Sequence, residues 1–262
     1  MPIQQLLLGT GGSSAPGPDP LPDIITTDLV TWFDFGKSQC WNGTSTTVTD
    51  LSDENNDGTL TGNSSNYSKS TANGGYLDLV NSQSVYSTVE LVNSLFTMGT
   101  GDFTIEFWLN LFIGPSNTHL WYSWPTDNAN EDNARLIFKE QSTNTWRLRV
   151  SPALSTAGGW QYRSDVGTFT TSGYQGWWHF VMSRNSGTIK VYINNDEKDS
   201  WSNSHNFNYT ANNGSHIGYG QSAVSNSLKA RLAVYRLYSG KGLTSSEVGD
   251  NFDEEKTRFG LS

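Results

Sequence analysis

The stretch Phe103-Thr-Ile-Glu-Phe-Trp-Leu-Asn-Leu111 constrains the fold more than any other part of the chain. Phe103, Ile105, Phe107, Leu109 and Leu111 fall on one side, and Thr104, Glu106, Trp108 and Asn110 on the other. Side chains alternate across a strand but recur every three to four positions on a helix, so this pattern is a half-buried β-strand. It repeats downstream. Trp177–Arg184, a turn at Asn185-Ser-Gly187 and Thr188–Asn194 read as a hairpin, with Ile189, Val191 and Ile193 set against Lys190, Tyr192 and Asn194. Leu29–Phe35, Tyr76–Val80, Val85–Val89, His119–Trp124, Arg135–Lys139, Trp146–Val150, Ser215–Tyr219 and Leu228–Leu237 read as further strands. Many short strands divided by turns indicate an all-β sandwich or barrel. One helix is expected, about Ser245 to Lys256, with Val248 and Phe252 on one face. Thr244 is its N-cap, and Glu247 three residues on completes a capping box.

Composition narrows the function classes. Aromatic residues make up 13% of the 262 and charged residues only 16%, which excludes a disordered chain. Sixteen basic against 25 acidic residues leave a net charge of −9. Duplex nucleic acid is therefore not an expected partner, because phosphate neutralisation needs clustered Lys and Arg. No apolar run reaches the ~18–20 residues of a membrane span. Met1–Thr10 has neither the basic nor the long apolar region of a secretion signal. The lone Cys40 excludes an internal disulfide framework and a multi-cysteine zinc site.

The first 22 residues differ from the rest. Ile3, Leu6, Leu7 and Leu8 form a short apolar head, followed by a Gly/Ser and then Pro-rich run that ends at Pro22. Such a run forms neither helix nor inner strand. Residues 1–22 are expected to be an extended anchoring arm, with the apolar head docking on a partner, and residues 23–262 the sandwich domain.

Constellations for chemistry are sparse. Glycoside hydrolysis needs two flanking carboxylates. Glu106 stands on its strand with only Thr104 and Trp108 beside it on the same side, so a hydrolase is the weakest of three readings and no enzyme is expected. No Gly-x-Ser-x-Gly elbow occurs, and Cys40 has no basic motif near it. His179 is read as a packed or hydrogen-bonded strand histidine, and Trp32, Phe103, Phe107 and Trp178 as core. Carbohydrate binding asks for less: aromatic faces beside amide and carboxylate side chains. Trp121, Tyr122 and Trp124, which lead into a loop rich in Asp and Asn, and Trp160 are the candidate glycan-binding residues.

Several segments, in chain order, resemble the concanavalin A-like, laminin G-type jelly-roll family. They are Leu29–Phe35 with Asp50-Leu-Ser-Asp-Glu-Asn-Asn-Asp-Gly58, Phe103–Trp108, Trp178-His-Phe-Val181 with Ile189–Asn194, Ile217-Gly218, Ala230–Tyr238 and Leu243–Phe252. The resemblance implies an all-β, two-sheet antiparallel jelly-roll sandwich with one C-terminal helix. It also implies a rim site for calcium. Asp127, Asn128 and Asp132 offer the candidate oxygen ligands, although no cofactor is required. Asp53-x-Asn55-x-Asp57 lacks the closing bidentate Glu of a calcium loop and is read as a hydrophilic turn.

The opening Met1-Pro-Ile-Gln-Gln-Leu-Leu-Leu-Gly-Thr-Gly11 resembles structural proteins of tailed phages of aquatic bacteria. Three expectations follow. The first is a phage virion structural protein, a capsid decoration or tail/fibre component. It would be held to other virion proteins through residues 1–22, in a symmetric assembly. The second is a glycan-binding adhesin recognising a host-surface polysaccharide. The third is the glycoside hydrolase.

Overall fold

The computed structural model describes residues 19–80, 87–111, 119–123, 135–142, 145–151, 168–170, 176–204, 207–208, 215–218 and 229–262. Their strands, in chain order, are β1 (Leu29–Asp34), β2 (Thr47–Val48), β3 (Gly58–Gly62), β4 (Tyr67–Ser70), β5 (Tyr76–Val80), β6 (Ser87–Leu91), β7 (Thr97–Gly99), β8 (Phe103–Leu111) and β9 (His119–Ser123). There follow β10 (Arg135–Ser142), β11 (Thr145–Ser151), β12 (Thr168–Thr170), β13 (Trp177–Asn185), β14 (Thr188–Ile193), β15 (Asp196–Ser202), β16 (Phe207–Asn208), β17 (Ser215–Ile217) and β18 (Lys229–Ser239). One α-helix, α1 (Ser245–Glu255), and a 3-10 turn at Lys256–Phe259 close the chain.

Two antiparallel sheets form the expected jelly-roll sandwich. One has the order β15-β14-β13-β8-β18-β5-β4, the other β12-β11-β10-β9-β17-β6-β3-β2. The eleven-residue β18 takes β8 along one edge and two strands end to end along the other. Lys229–Leu232 pair with β5, and Val234–Tyr238 pair with β1. Phe33, Phe35, Phe107, Trp178, Val191 and Tyr235 are among the apolar side chains that fill the space between the sheets.

The other side of β8 corrects the half-buried reading. Thr104, Glu106 and Trp108 are as buried as their neighbours, because α1 and the residues around it lie over that face. Trp108 stacks between two aromatics of the C-terminal segment, with ring centres 4.2 Å from Phe259 and 5.8 Å from Phe252. Ile24, Trp32, Trp177, Val234 and Val248 complete this second core. Trp32 therefore belongs to the helix-covered core, and Trp178, Phe103 and Phe107 to the one between the sheets. The helix starts as its sequence dictates. Thr244 Oγ1 accepts from the Glu247 amide, and Glu247 Oε2 accepts from the Thr244 amide at 2.8 Å.

Arg258, just past the helix, clasps β1. Its guanidinium makes two hydrogen bonds to Asp34, 2.7 and 2.8 Å, and others to the carbonyls of Asn73, Gly74 and Gly75. The backbones of Gly36 and Gly75 meet beneath it. A Cβ on Gly36 would stand 1.9 Å from the Gly74 carbonyl oxygen, so only glycine fits.

Candidate functional site

Glu106, the carboxylate a hydrolase would need, is fully enclosed. Its Oε1 accepts from His179 Nε2 at 2.7 Å and from Arg236 Nη1 at 2.9 Å. Its Oε2 accepts from Asn251 Nδ2 at 3.0 Å. Glu106, His179, Arg236 and Asn251 are each 0% exposed, so no substrate reaches the carboxylate. Burial alone would raise the Glu106 carboxyl. The Arg236 charge and the His179 and Asn251 hydrogen bonds outweigh it and bring the group down to about 2. Burial likewise opposes the charge on Arg236, but Glu255 and Glu106 on either side hold it in the charged form. Arg236 Nη2 lies 2.7 Å from Glu255 Oε1, and Trp108 Nε1 donates to Glu255 Oε2 at 2.8 Å. The sequence shows Glu106 without an acidic companion, whereas the fold brings Glu255 to the other side of the same guanidinium. Both carboxylates are neutralised in place and act as a latch for the helix. A general acid needs access and a tunable proton; this cluster has neither. Cys40 is equally inert: it is 1% exposed, and burial pushes its thiol up.

The Asp50–Gly58 loop is a hydrophilic turn, as read from its residues, and its polar groups serve the fold. The Asp50 carboxylate accepts from the amides of Trp32, Ser52 and Asn56 and from the Ser52 hydroxyl, at 2.6–2.9 Å. Asn56 Nδ2 donates to the Val30 carbonyl, and the Leu51 amide donates to that of Trp32. These bonds cover the outer edge of β1, which would otherwise present bare donors and acceptors. Asp57 in turn accepts from the Asp50 amide.

Between this turn and the segment that precedes β1 lies an open groove of 360 Å³, lined by Leu21, Thr26, Asp28, Leu29, Trp32, Leu51, Ser52, Asp53 and Glu54. The segment is fastened along its length. Lys37 Nζ and Gln39 Nε2 donate to the carbonyls of Pro20 and Asp19. The Ile25 amide donates to Asn251 Oδ1, and the Tyr238 hydroxyl to the Ile25 carbonyl. The sequence missed this groove because its residues read separately as linker, strand and turn.

Of the expected site residues, Trp121 and Tyr122 fall on β9, opposite Ile137 and Leu136 of β10. Trp124, Trp160, the calcium candidates Asp127, Asn128 and Asp132, and the apolar head Ile3, Leu6, Leu7 and Leu8 lie outside the described residues. Among the described residues no cluster of His, Cys, Asp and Glu has metal-ligating geometry, and no helix is long and apolar enough to cross a membrane.

Residues 81–249 match the model of the concanavalin A-like lectin/glucanases superfamily, laminin G type. No curated protein sequence matches the chain. Among solved structures, domain 4 of AbnA, a GH43 extracellular arabinanase from Geobacillus stearothermophilus bound to arabinotriose, is similar. Its TM-score is 0.55 at 18% identity, over 85% of this chain and 97% of that one. The binding domain of Paraclostridial mosquitocidal protein 1 gives 0.59 at 19% identity, over 87% of this chain and 52% of that one. The binding domain of botulinum neurotoxin DC in complex with SialylT gives 0.59 at 14% identity, over 88% and 52%. The chain thus spans about half the length of the toxin binding domains it matches. At these identities the likeness establishes the fold.

These comparisons correct the leading expectation. The similar proteins are toxin binding domains and a domain of an arabinanase, with nothing among them to tie the chain to a phage particle. Capsid decoration, a tail or fibre position, attachment to virion proteins through residues 1–22, symmetric assembly on a particle and a virion location are all set aside. Two of these neighbours are named as binding domains.

Proposed function

The chain belongs to the concanavalin A-like lectin/glucanases superfamily, and from that premise we propose that it is a lectin-like recognition domain that binds a glycan without cleaving it. The family match across residues 81–249 carries the reading. The burial of Glu106 favours binding over hydrolysis, because it withdraws the strand carboxylate that the sequence offered to a glycosidase. Trp121, Tyr122, Trp124 and Trp160 supply the aromatic faces that stack on sugar C–H groups. Residues 23–262 form the recognition domain, and residues 1–22 lead into it.

The test is a glycan array read with the full chain and with Trp121→Ala and Trp124→Ala. Saturable binding of an oligosaccharide, weakened tenfold or more in either variant, is the expected result. Absence of binding to every glycan would overturn the proposal. Release of shortened sugar from any bound glycan would overturn its non-catalytic part.

A further inference from the structure

We infer that the groove between residues 21–28 and the 51–54 turn is a second saccharide subsite, one that accepts an uncharged sugar unit and repels an acidic one. The inference rests on the glycan-recognition reading above, and it concerns residues remote in sequence from the aromatic candidates.

The lining has the mixed character a sugar ring requires. Leu29, Trp32 and Leu51 give an apolar floor, and Leu21 forms an apolar lip. Leu21 is 40% exposed, the one large hydrophobic side chain left open among the described residues. Around it stand the carboxylates of Asp28, Asp53 and Glu54 and the hydroxyls of Thr26 and Ser52. The three carboxylates have no ion pair or side-chain hydrogen bond with any described residue. They are acceptors in want of donors, and sugar hydroxyls are donors. Trp32 adds the opposite need: it is 3% exposed, and its Nε1–H finds no acceptor among the described residues.

Charge selects among sugars. Among the described residues no Lys, Arg or His lines the groove, and the whole chain carries −9. A carboxylated sugar would bring a further negative charge against three others with no cation to receive it. A neutral sugar brings hydroxyl donors to the carboxylates and no charge against them. The volume of 360 Å³ lies at the lower end of small-molecule sites, roughly 300–1,000 Å³, which suits a short stretch of saccharide. Both walls are already held in place, one by the Asp50 carboxylate and the other by Lys37, Asn251 and Tyr238. Binding therefore carries little ordering cost.

The experiment is an array of neutral oligosaccharides and their sialylated counterparts, read with the full chain, Leu21→Ala, the Asp53→Asn/Glu54→Gln pair, and Trp121→Ala. The altered groove residues are exposed, so their variants keep the fold, and thermal melting checks this. The expected result is binding of neutral glycans, weakened about tenfold in Leu21→Ala and in the paired variant, with sialylated glycans bound less well. Three results overturn the inference. Glycan binding that only Trp121→Ala weakens would leave the recognition function standing and remove the groove from it. Preferential binding of sialylated glycans would show the charge argument to be wrong. No glycan binding at all would overturn the recognition reading and the subsite together.

Discussion

Trp108 and Glu255, 147 residues apart, are joined by a buried 2.8 Å hydrogen bond from the indole nitrogen to the carboxylate, which ties the middle of β8 to the last turn of α1. Trp108→Phe keeps most of the ring and removes the donor. The variant should lose about 2–3 kcal/mol, the worth of a hydrogen bond to a buried charged group. Urea denaturation followed by tryptophan fluorescence measures it; a midpoint equal to wild type would mean that the bond does not hold the helix.

Acid should loosen the same contact region. The Glu106 carboxyl lies at about 2 in the fold, against an ordinary value of 4.5. A depressed carboxyl stabilises the fold fully above 4.5, and that contribution fades as the pH falls from 4.5 towards 2. The difference corresponds to a stabilisation on the order of 3 kcal/mol. Denaturation midpoints taken from pH 6 down to pH 2.5 should drop in that window. Glu106→Gln, less stable throughout, should show a shallower drop; a slope as steep as that of wild type would assign the acid sensitivity to other groups.

The start of α1 offers a smaller and cleaner test. Thr244→Ala removes one half of the capping box and should cost about 1 kcal/mol. Thr244→Ser should retain nearly all of the stability, since the serine hydroxyl can accept the same amide bond. Equal losses in the two would point to packing of the threonine methyl rather than to the cap.

Gly36→Ala should cost about 3 kcal/mol or more, because the added methyl would lie 1.9 Å from the Gly74 carbonyl oxygen under the Arg258 clasp. Thermal unfolding reads this directly. A variant that melts with wild type would require the Gly74–Gly75 turn to move away from β1 at no cost.

Asp50 connects fold and groove. Asp50→Ala leaves the buried amide of Trp32 without its acceptor and frees the 51–54 turn, so it should lose about 2–3 kcal/mol. It should also weaken glycan binding, although Asp50 does not line the groove. Asp53→Asn should weaken binding and leave the melting temperature unchanged. A parallel titration and melting curve for the two variants separates a wall-positioning role from a contact role.

The strands were legible where alternation and turns agree. β5 and β8 begin and end as the residues indicate, the β13–β14 hairpin turns where Asn185-Ser-Gly187 places it, and α1 begins at its cap. The second core was not legible. Thr104, Glu106 and Asn110 are the polar residues that an exposed face would carry, and nothing near them in the chain announces a cover. Glu106 finds Arg236 and Asn251, Thr104 finds the Leu243 amide and Trp108 finds Glu255, all 130 or more residues downstream, and local periodicity carries no information at that range. The groove escaped for a similar reason: Leu21 closes what reads as a proline-rich linker, and Asp53 and Glu54 sit in what reads as an ordinary turn. The aromatic candidates rest on residue type alone, which marks a stacking surface without saying which faces converge.

The pairing of β1 with β18 sets a timetable for the chain. A strand begun at Leu29 waits for Val234–Tyr238 before its inner edge is satisfied, and Trp108 waits longer still, for Phe252 and Phe259. A nascent polypeptide halfway through synthesis therefore carries finished hairpins beside an uncovered, aromatic-rich sheet face. Contacts this distant in sequence form slowly. The interval between making β8 and making residues 245–259 is when this protein depends most on dilution or on a chaperone, and shortening that tail by a few residues would leave every strand intact and still deprive the molecule of its finished state.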